Sequence, residues 1–129
     1  MHASRPRRPT DAELAILRVL WDRGPSTVRE VYEVLAQGRE TGYTTTLKLM
    51  QIMADKGLVT RNMSSRTHIY SARASQARTQ GQLIDDLLER AFGGSAVALV
   101  QRALSTHRAS DEELQEIFKL IEAYQKERR

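Results

Sequence analysis

The sequence predicts a mainly helical protein with one small β-hairpin, arranged as a head of three helices plus the hairpin and a tail of three further helices. Three observations predict it. Helix-start signals of the form Ser/Thr-x-x-Glu occur at Thr10-Asp-Ala-Glu13, Thr27-Val-Arg-Glu30 and Ser110-Asp-Glu-Glu113, each ahead of apolar residues at helical spacing. Two short β-prone runs, Leu58 to Met63 and Thr67 to Ser71, flank the polar turn Ser64-Ser65-Arg66. Glycines stand where helical patterns stop, at Gly24, Gly38, Gly57 and Gly93-Gly94.

The first helix is read from about Asp11 to Arg23, with Leu14, Leu17, Leu20 and Trp21 facing inward and Gly24-Pro25 closing it. The second starts after Thr27, turns Val28, Val31, Leu35 and Tyr32 inward, and stops near Gln37-Gly38. A polar loop, Arg39 to Gly42, leads to Tyr43-Thr44-Thr45-Thr46, where Thr44 is expected to cap the third helix. Leu47, Met50, Met53 and Ala54 supply that helix's apolar stripe, and Lys56-Gly57 ends it with a cation and a glycine. Three helices followed by a hairpin make a winged helix-turn-helix, since a hairpin this short needs helices to lean on.

Residues 72–79 are polar and small, and read as a hinge. Beyond them lie three helical patterns. The first carries Leu83, Ile84, Leu87, Leu88, Ala91 and Phe92, and the second Val97, Leu99, Val100, Ala103 and Leu104. The third carries Leu114, Ile117, Phe118, Ile121 and Tyr124. Some 50 residues in three helices make a marginal core alone, so the stripes are expected to pack on a second copy of the chain. The expected organisation is a basic arm over 1–9, a winged-helix domain over 10–78 and a helical dimerisation domain over 79–129.

Charge follows the same division. Residues 1–78 carry a net +6 and residues 79–129 a net −2, within a chain of net charge +4. A basic head on an acidic tail directs a polyanion to the head; ordinary surface unevenness would give a similar asymmetry. No stretch approaches the roughly 20 apolar residues of a membrane span. Met1 to Pro9 is basic without an apolar core, unlike a secretory signal. With no cysteine in the chain, disulfides, thiolate metal sites and cysteine catalysis are excluded, and a reducing cytoplasm is the expected compartment.

The residues as a set resemble the penicillinase repressor (BlaI/MecI) family. The resemblance rests on Thr10-Asp-Ala-Glu-Leu-Ala-Ile-Leu-Arg-Val-Leu-Trp21, Thr27-Val-Arg-Glu-Val31, Gly42-Tyr-Thr-Thr-Thr46, Lys56-Gly-Leu-Val59 and Ile69-Tyr70. Phe92-Gly-Gly-Ser95 and Ser110-Asp-Glu-Glu-Leu114 carry it through the tail. It implies a homodimer with two winged-helix heads and an intertwined helical dimerisation domain, acting as a transcriptional repressor on palindromic operators with TACA/TGTA-type half-sites. It further implies release when a membrane-bound sensor responds to a β-lactam and the repressor is cut in the second tail helix. In well-known members the cut bond joins Asn to Phe; the corresponding place here is Gln101-Arg102, and the sequence contains no Asn-Phe pair. Copper-responsive relatives carry a cysteine-rich tail, which this chain lacks.

On this reading the third helix enters the major groove. A threonine there can hydrogen-bond a base or phosphate and pack its methyl on thymine, so Thr44, Thr45 and Thr46 are candidates, though three consecutive helical residues cannot all face DNA. Lys48 and Gln51 lie off the apolar stripe and face outward, Lys48 toward phosphate or guanine and Gln51 toward adenine or solvent. Tyr43 at the helix entrance can donate to a phosphate or form a core edge. Thr27 and Arg29, at the start of the second helix, are candidates for phosphate. Arg66 is placed at the wing tip, with Arg61 and His68 on the wing strands as weaker candidates. Arg5, Arg7 and Arg8 in the arm add nonspecific attraction or mere solubility.

Dimerisation is assigned to Leu83, Leu87, Phe92, Leu99, Leu104, Leu114, Ile117, Phe118 and Ile121. Two other readings stay open. The same fold can bind protein instead of DNA, and a repressor can be released by a small ligand held between head and tail. An enzyme is not supported: His2, His68 and His107 share no ligand spacing, and no glycine loop cradles a phosphate. No cofactor, metal or membrane insertion is expected.

Overall fold

Side-chain caps set most of the helix starts. In a computed structural model, which describes residues 8–37 and 42–128, Thr10 and Thr27 each accept from the backbone N–H three residues on, while Glu13 and Glu30 reach back to accept from the Thr10 and Thr27 N–H groups. These reciprocal bonds start α1 (Asp11–Arg23) and α2 (Val28–Ala36). The third helix, α3 (Tyr43–Lys56), starts differently: its cap is Gly42 in extended backbone, with no side-chain cap bond. It ends on Gly57, whose φ of +81° is a left-handed stop that a side chain would strain.

Next come β1 (Val59–Asn62) and β2 (Ile69–Ala72), antiparallel, with Val59 opposite Ala72 and Arg61 opposite Tyr70. The turn is wider than the three residues expected. Asn62 accepts from the Ser64 N–H at 2.9 Å and Ser65 donates to the Thr67 carbonyl at 2.8 Å, so local side-chain bonds replace ladder pairing from Met63 to His68. The hairpin gains a third element that the sequence did not announce. Ser26 and Tyr70 exchange both backbone bonds, at 2.9 and 2.8 Å, tying the α1–α2 connection to β2.

The core lies where these elements meet: Ile16, Leu17, Val19 and Leu20 of α1, Val28 and Val31 of α2, Met50 and Met53 of α3, Val59 and Tyr70 of the wing. Leu14 and Trp21, expected inside, are only half-buried, whereas Ile16 and Val19 are fully covered. The reason is that α1 packs against α2, α3 and β2 together, so its buried face is wider than one stripe. Glu13 also lies inside, 1% exposed, its carboxylate 2.9 Å from Lys56 Nζ at the far end of α3.

The stretch expected as a hinge is structured. The Trp21 indole N–H donates to the Ala74 carbonyl at 3.0 Å, Ser75 accepts from the Arg78 N–H, and α4 (Gln76–Ala91) begins inside the stretch, with Thr79 buried.

After α4 come α5 (Ala96–Thr106) and α6 (Asp111–Glu127). Ser95 and Ser110 cap them, each accepting from the N–H three residues on, and Asp111, Glu112 and Glu113 set negative charge at the positive end of α6. The expected reciprocal bond from Glu113 is not made; its carboxylate lies 3.8 Å from His107 Nε2 instead. The chain divides into two compact units, Met1–Ile84 and Asp85–Arg129. No residue of α5 or α6 is buried.

Candidate nucleic-acid interface

The inward side of α3 is set by Thr46, Met50 and Met53, all buried, at spacings of four and three. That fixes the outward side. Thr44, Thr45, Lys48 and Gln51 are exposed and share one face with Ile52 and Asp55. The three threonines expected as candidates thus separate. Thr44 does not cap: it is the second helical residue, because the helix begins at Tyr43. Thr46 does not reach the surface: it is 0% exposed, and its hydroxyl donates to the Gly42 carbonyl at 3.2 Å. Thr44 and Thr45 present hydroxyls and methyls to solvent at the helix entrance.

The start of α2 stands beside that entrance. Tyr32, expected inside, is half-buried, and its ring meets the Tyr43 ring edge to face at 5.7 Å between centroids and 81° between planes. The Arg29 guanidinium lies over both, 4.9 Å from the Tyr43 centroid and 5.9 Å from that of Tyr32. The sequence signal was the spacing of Arg29 and Tyr32, one turn apart, but the partner on α3 is eleven residues beyond Tyr32 and has no local signature.

Thr27 is engaged as the α2 cap, accepting from the Glu30 N–H at 3.1 Å. Glu30 is held below its ordinary value, first by the Thr27 backbone N–H it accepts from, against desolvation that acts the other way, and then by the Thr27 hydroxyl and Arg23 at 2.9 Å. This anion therefore stays charged and is matched by Arg23.

On the wing, Arg66 and His68 are exposed. Arg61 is half-buried opposite Tyr70, and its Nε is buried with no hydrogen-bond partner among the described residues. Of the arm, Arg5 and Arg7 lie outside the described residues, as do residues 38–41, on which most of the polar loop expected over Arg39 to Gly42 falls.

In the tail, Leu87, Leu114, Phe118 and Ile121 are exposed, Phe118 at 60%, while Leu83, Phe92, Leu99, Leu104 and Ile117 are half-buried. Gln101 and Arg102 are exposed on α5. Among the described residues no group of His, Asp and Glu could hold a metal ion, and no helix is long and apolar enough to cross a membrane.

Comparison with known proteins covers most of the chain. The family profile described as penicillinase repressor matches residues 9–123. The transcriptional regulator BlaI of Mycobacterium tuberculosis is 34% identical over 90 residues, which are 68% of this chain and 65% of that protein, so the match spans just under two thirds of that relative. The penicillinase repressor of Bacillus licheniformis is 21% identical over 115 residues, 89% of this chain and 90% of that one. Among solved structures, the solution structure of the DNA-binding domain of the repressor BlaI superposes with a TM-score of 0.51 at 19% identity, covering 57% of this chain and 90% of that one. The winged-helix fold is common to both.

Proposed function

The chain belongs to the penicillinase repressor family, and from that premise we propose that it is a non-enzymatic transcriptional repressor that binds double-stranded operator DNA through its winged-helix head. The observation that carries this is the outward face of α3. Two threonines, a lysine and a glutamine stand exposed at Thr44, Thr45, Lys48 and Gln51, on the helix that a winged helix-turn-helix lays in the major groove. Lys48 suits phosphate or guanine, Gln51 suits adenine, and the threonines suit phosphate or a thymine methyl. Arg29, Tyr43 and Arg66 complete a rim of phosphate contacts, with Arg61 and His68 on the wing and the basic arm 1–9 adding attraction.

The repressor works in the cytoplasm as a homodimer on a palindromic operator. Residues 10–78 form the DNA-binding domain and 79–129 the dimerisation domain, with Leu83, Leu87, Phe92, Leu99, Leu104, Leu114, Ile117, Phe118 and Ile121 packing between copies. Two linked heads raise affinity far above that of one. Release follows from loss of that linkage, through a cut in α5 near Gln101-Arg102 by a membrane-bound sensor protease.

Selection of duplexes from random-sequence DNA by the purified full chain tests the reading. It expects a two-fold-related motif, and an affinity whose logarithm falls linearly with the logarithm of salt concentration. Recovery of no enriched motif, together with salt-insensitive binding, would overturn it in favour of a protein-binding module.

A further inference from the structure

Building on the DNA-binding reading above, we propose that Tyr32 is a positioning residue for DNA recognition, acting through Arg29 and Tyr43 to hold the first turn of α3 against the start of α2. The starting point is what α3 lacks. Helices α1, α2, α5 and α6 are each fixed at their start by a Thr or Ser side chain, whereas α3 starts on Gly42 with no side-chain cap bond. The Thr46 hydroxyl ties α3 only to its own cap carbonyl. The first residue of α3 that meets another element by a ring contact is Tyr43, and the ring it meets is Tyr32.

The three side chains close a triangle. The ring centroids lie 5.7 Å apart at 81°, in the range where the positive edge of one ring attracts the negative face of the other. The guanidinium then lies 4.9 Å from one centroid and 5.9 Å from the other, within the reach of a cation–π contact. Arg29 sits in the first turn of α2, where the positive end of the helix disfavours a cation. No carboxylate among the described residues pairs with it. The two rings are what hold it there, and being held by rings leaves its N–H donors for a phosphate.

Removing the Tyr32 ring therefore loosens two things at once: the place of Arg29, and the direction in which Thr44, Thr45 and Lys48 leave the head. A side chain that acts this way lowers affinity without removing a phosphate contact of its own.

The test uses the full chain and a duplex it has selected from random-sequence DNA. Tyr32→Leu is expected to weaken binding by about three- to tenfold, with the log-affinity against log-salt slope flattened less than by Arg29→Ala, which removes the charge itself. Tyr32→Phe, which keeps the ring, is expected to recover most of the loss. Combined with Arg29→Ala, Tyr32→Leu should cost less than the product of the two separate losses, because each removes what the other holds. Tyr32→Met serves the same comparisons if leucine disturbs the fold, as read by Trp21 fluorescence. Wild-type affinity in the leucine and methionine variants, or losses that multiply with Arg29→Ala, overturns the positioning role while leaving the DNA reading intact. A wild-type chain that selects no duplex overturns both.

Discussion

Replacing Glu13 by glutamine tests how the head is held together, because its charge was unexpected inside the core. One carboxylate oxygen accepts the Thr10 N–H at 2.9 Å and the other meets Lys56 Nζ at 2.9 Å, so a single side chain fastens the start of α1 to the end of α3. Glutamine keeps the shape and the first bond. Its amide nitrogen, however, offers Lys56 a donor against a donor. Losing a charged partner at a buried position costs about 2 kcal/mol. For a head of this size that lowers the melting temperature by roughly 10 °C, at 4–8 °C per kcal/mol. The effect carries a pH signature. Burial alone, the largest influence, would raise the Glu13 carboxyl, but the Thr10 N–H, Lys56 and the Thr10 hydroxyl together hold it below its ordinary 4.5. A carboxyl whose folded value is depressed stabilises the fold above its unfolded value, and the gain fades as pH falls through the folded one. The gap between wild type and Glu13→Gln should therefore be full at pH 7 and narrow below about pH 4.5. Trp21 fluorescence during thermal unfolding of the full chain reads it, since the indole is bonded within the head at Ala74. Equal melting temperatures at pH 7, or a gap that does not narrow in acid, would show that the Glu13–Lys56 pair does not hold the head together.

Three further outcomes are expected. Lys48→Ala should weaken selected and scrambled duplexes alike and flatten the log-affinity against log-salt slope by about one unit if the ammonium meets a phosphate; if it reads guanine, the loss should instead fall on the selected duplex. Thr46→Val should cost about 1 kcal/mol of stability through the lost hydroxyl bond to Gly42 while the selected motif stays the same, whereas Thr45→Val should alter the motif at little cost in stability; repeated selection and melting curves separate the two. Phe118→Asp with Ile121→Asp should turn a sedimenting dimer into a monomer with much weaker operator affinity, and an undisturbed dimer would move the interface off α6.

What the sequence made legible was local, and what it hid was not. Both ends of each capping box lie three residues apart, so Thr10-Glu13 and Thr27-Glu30 could be read directly. Glu13's second partner is 43 residues away, and no spacing rule reaches it. The Ser26–Tyr70 backbone bridge and the bond from the Trp21 indole N–H to the Ala74 carbonyl are hidden for the same reason: each joins groups more than 40 residues apart, and their pairing depends on how distant segments dock. Thr46 is an instructive case, because the information was present. Met50 and Met53 define the buried stripe, and stepping back four residues from Met50 lands on Thr46. A hydroxyl residue looked like a binding group, but its buried O–H is satisfied by the carbonyl four residues earlier, a bond threonine makes readily inside helices. Tyr32 ran the other way. Its apolar bulk placed it in the core, yet Tyr43 and Arg29 draw it to the edge where α2 and α3 begin.

The tail differs from the head in kind. Among the described residues the head buries ten apolar side chains in one cluster; α5 and α6 bury none, with Val97 at 78% and Phe118 at 60% exposure. At about 25 cal/mol per Å² of apolar surface removed from water, helices that leave such side chains exposed gain little from folding alone. Under the homodimer we propose, the missing burial comes from the second copy, so folding of the tail and association become a single equilibrium governed by chain concentration. That coupling bears directly on release. A bond in the middle of a helix must leave the helix before a protease can take it. α5 starts just past Gly93 and Gly94, both left-handed at φ of +56° and +83°, and it carries the exposed Gln101-Arg102 step. Local opening of such a helix costs less than opening the core of the head. Under the release we propose, a cut there would remove apolar area from the contact between copies, and the loss of linkage would reach both heads without any change in the residues assigned to DNA.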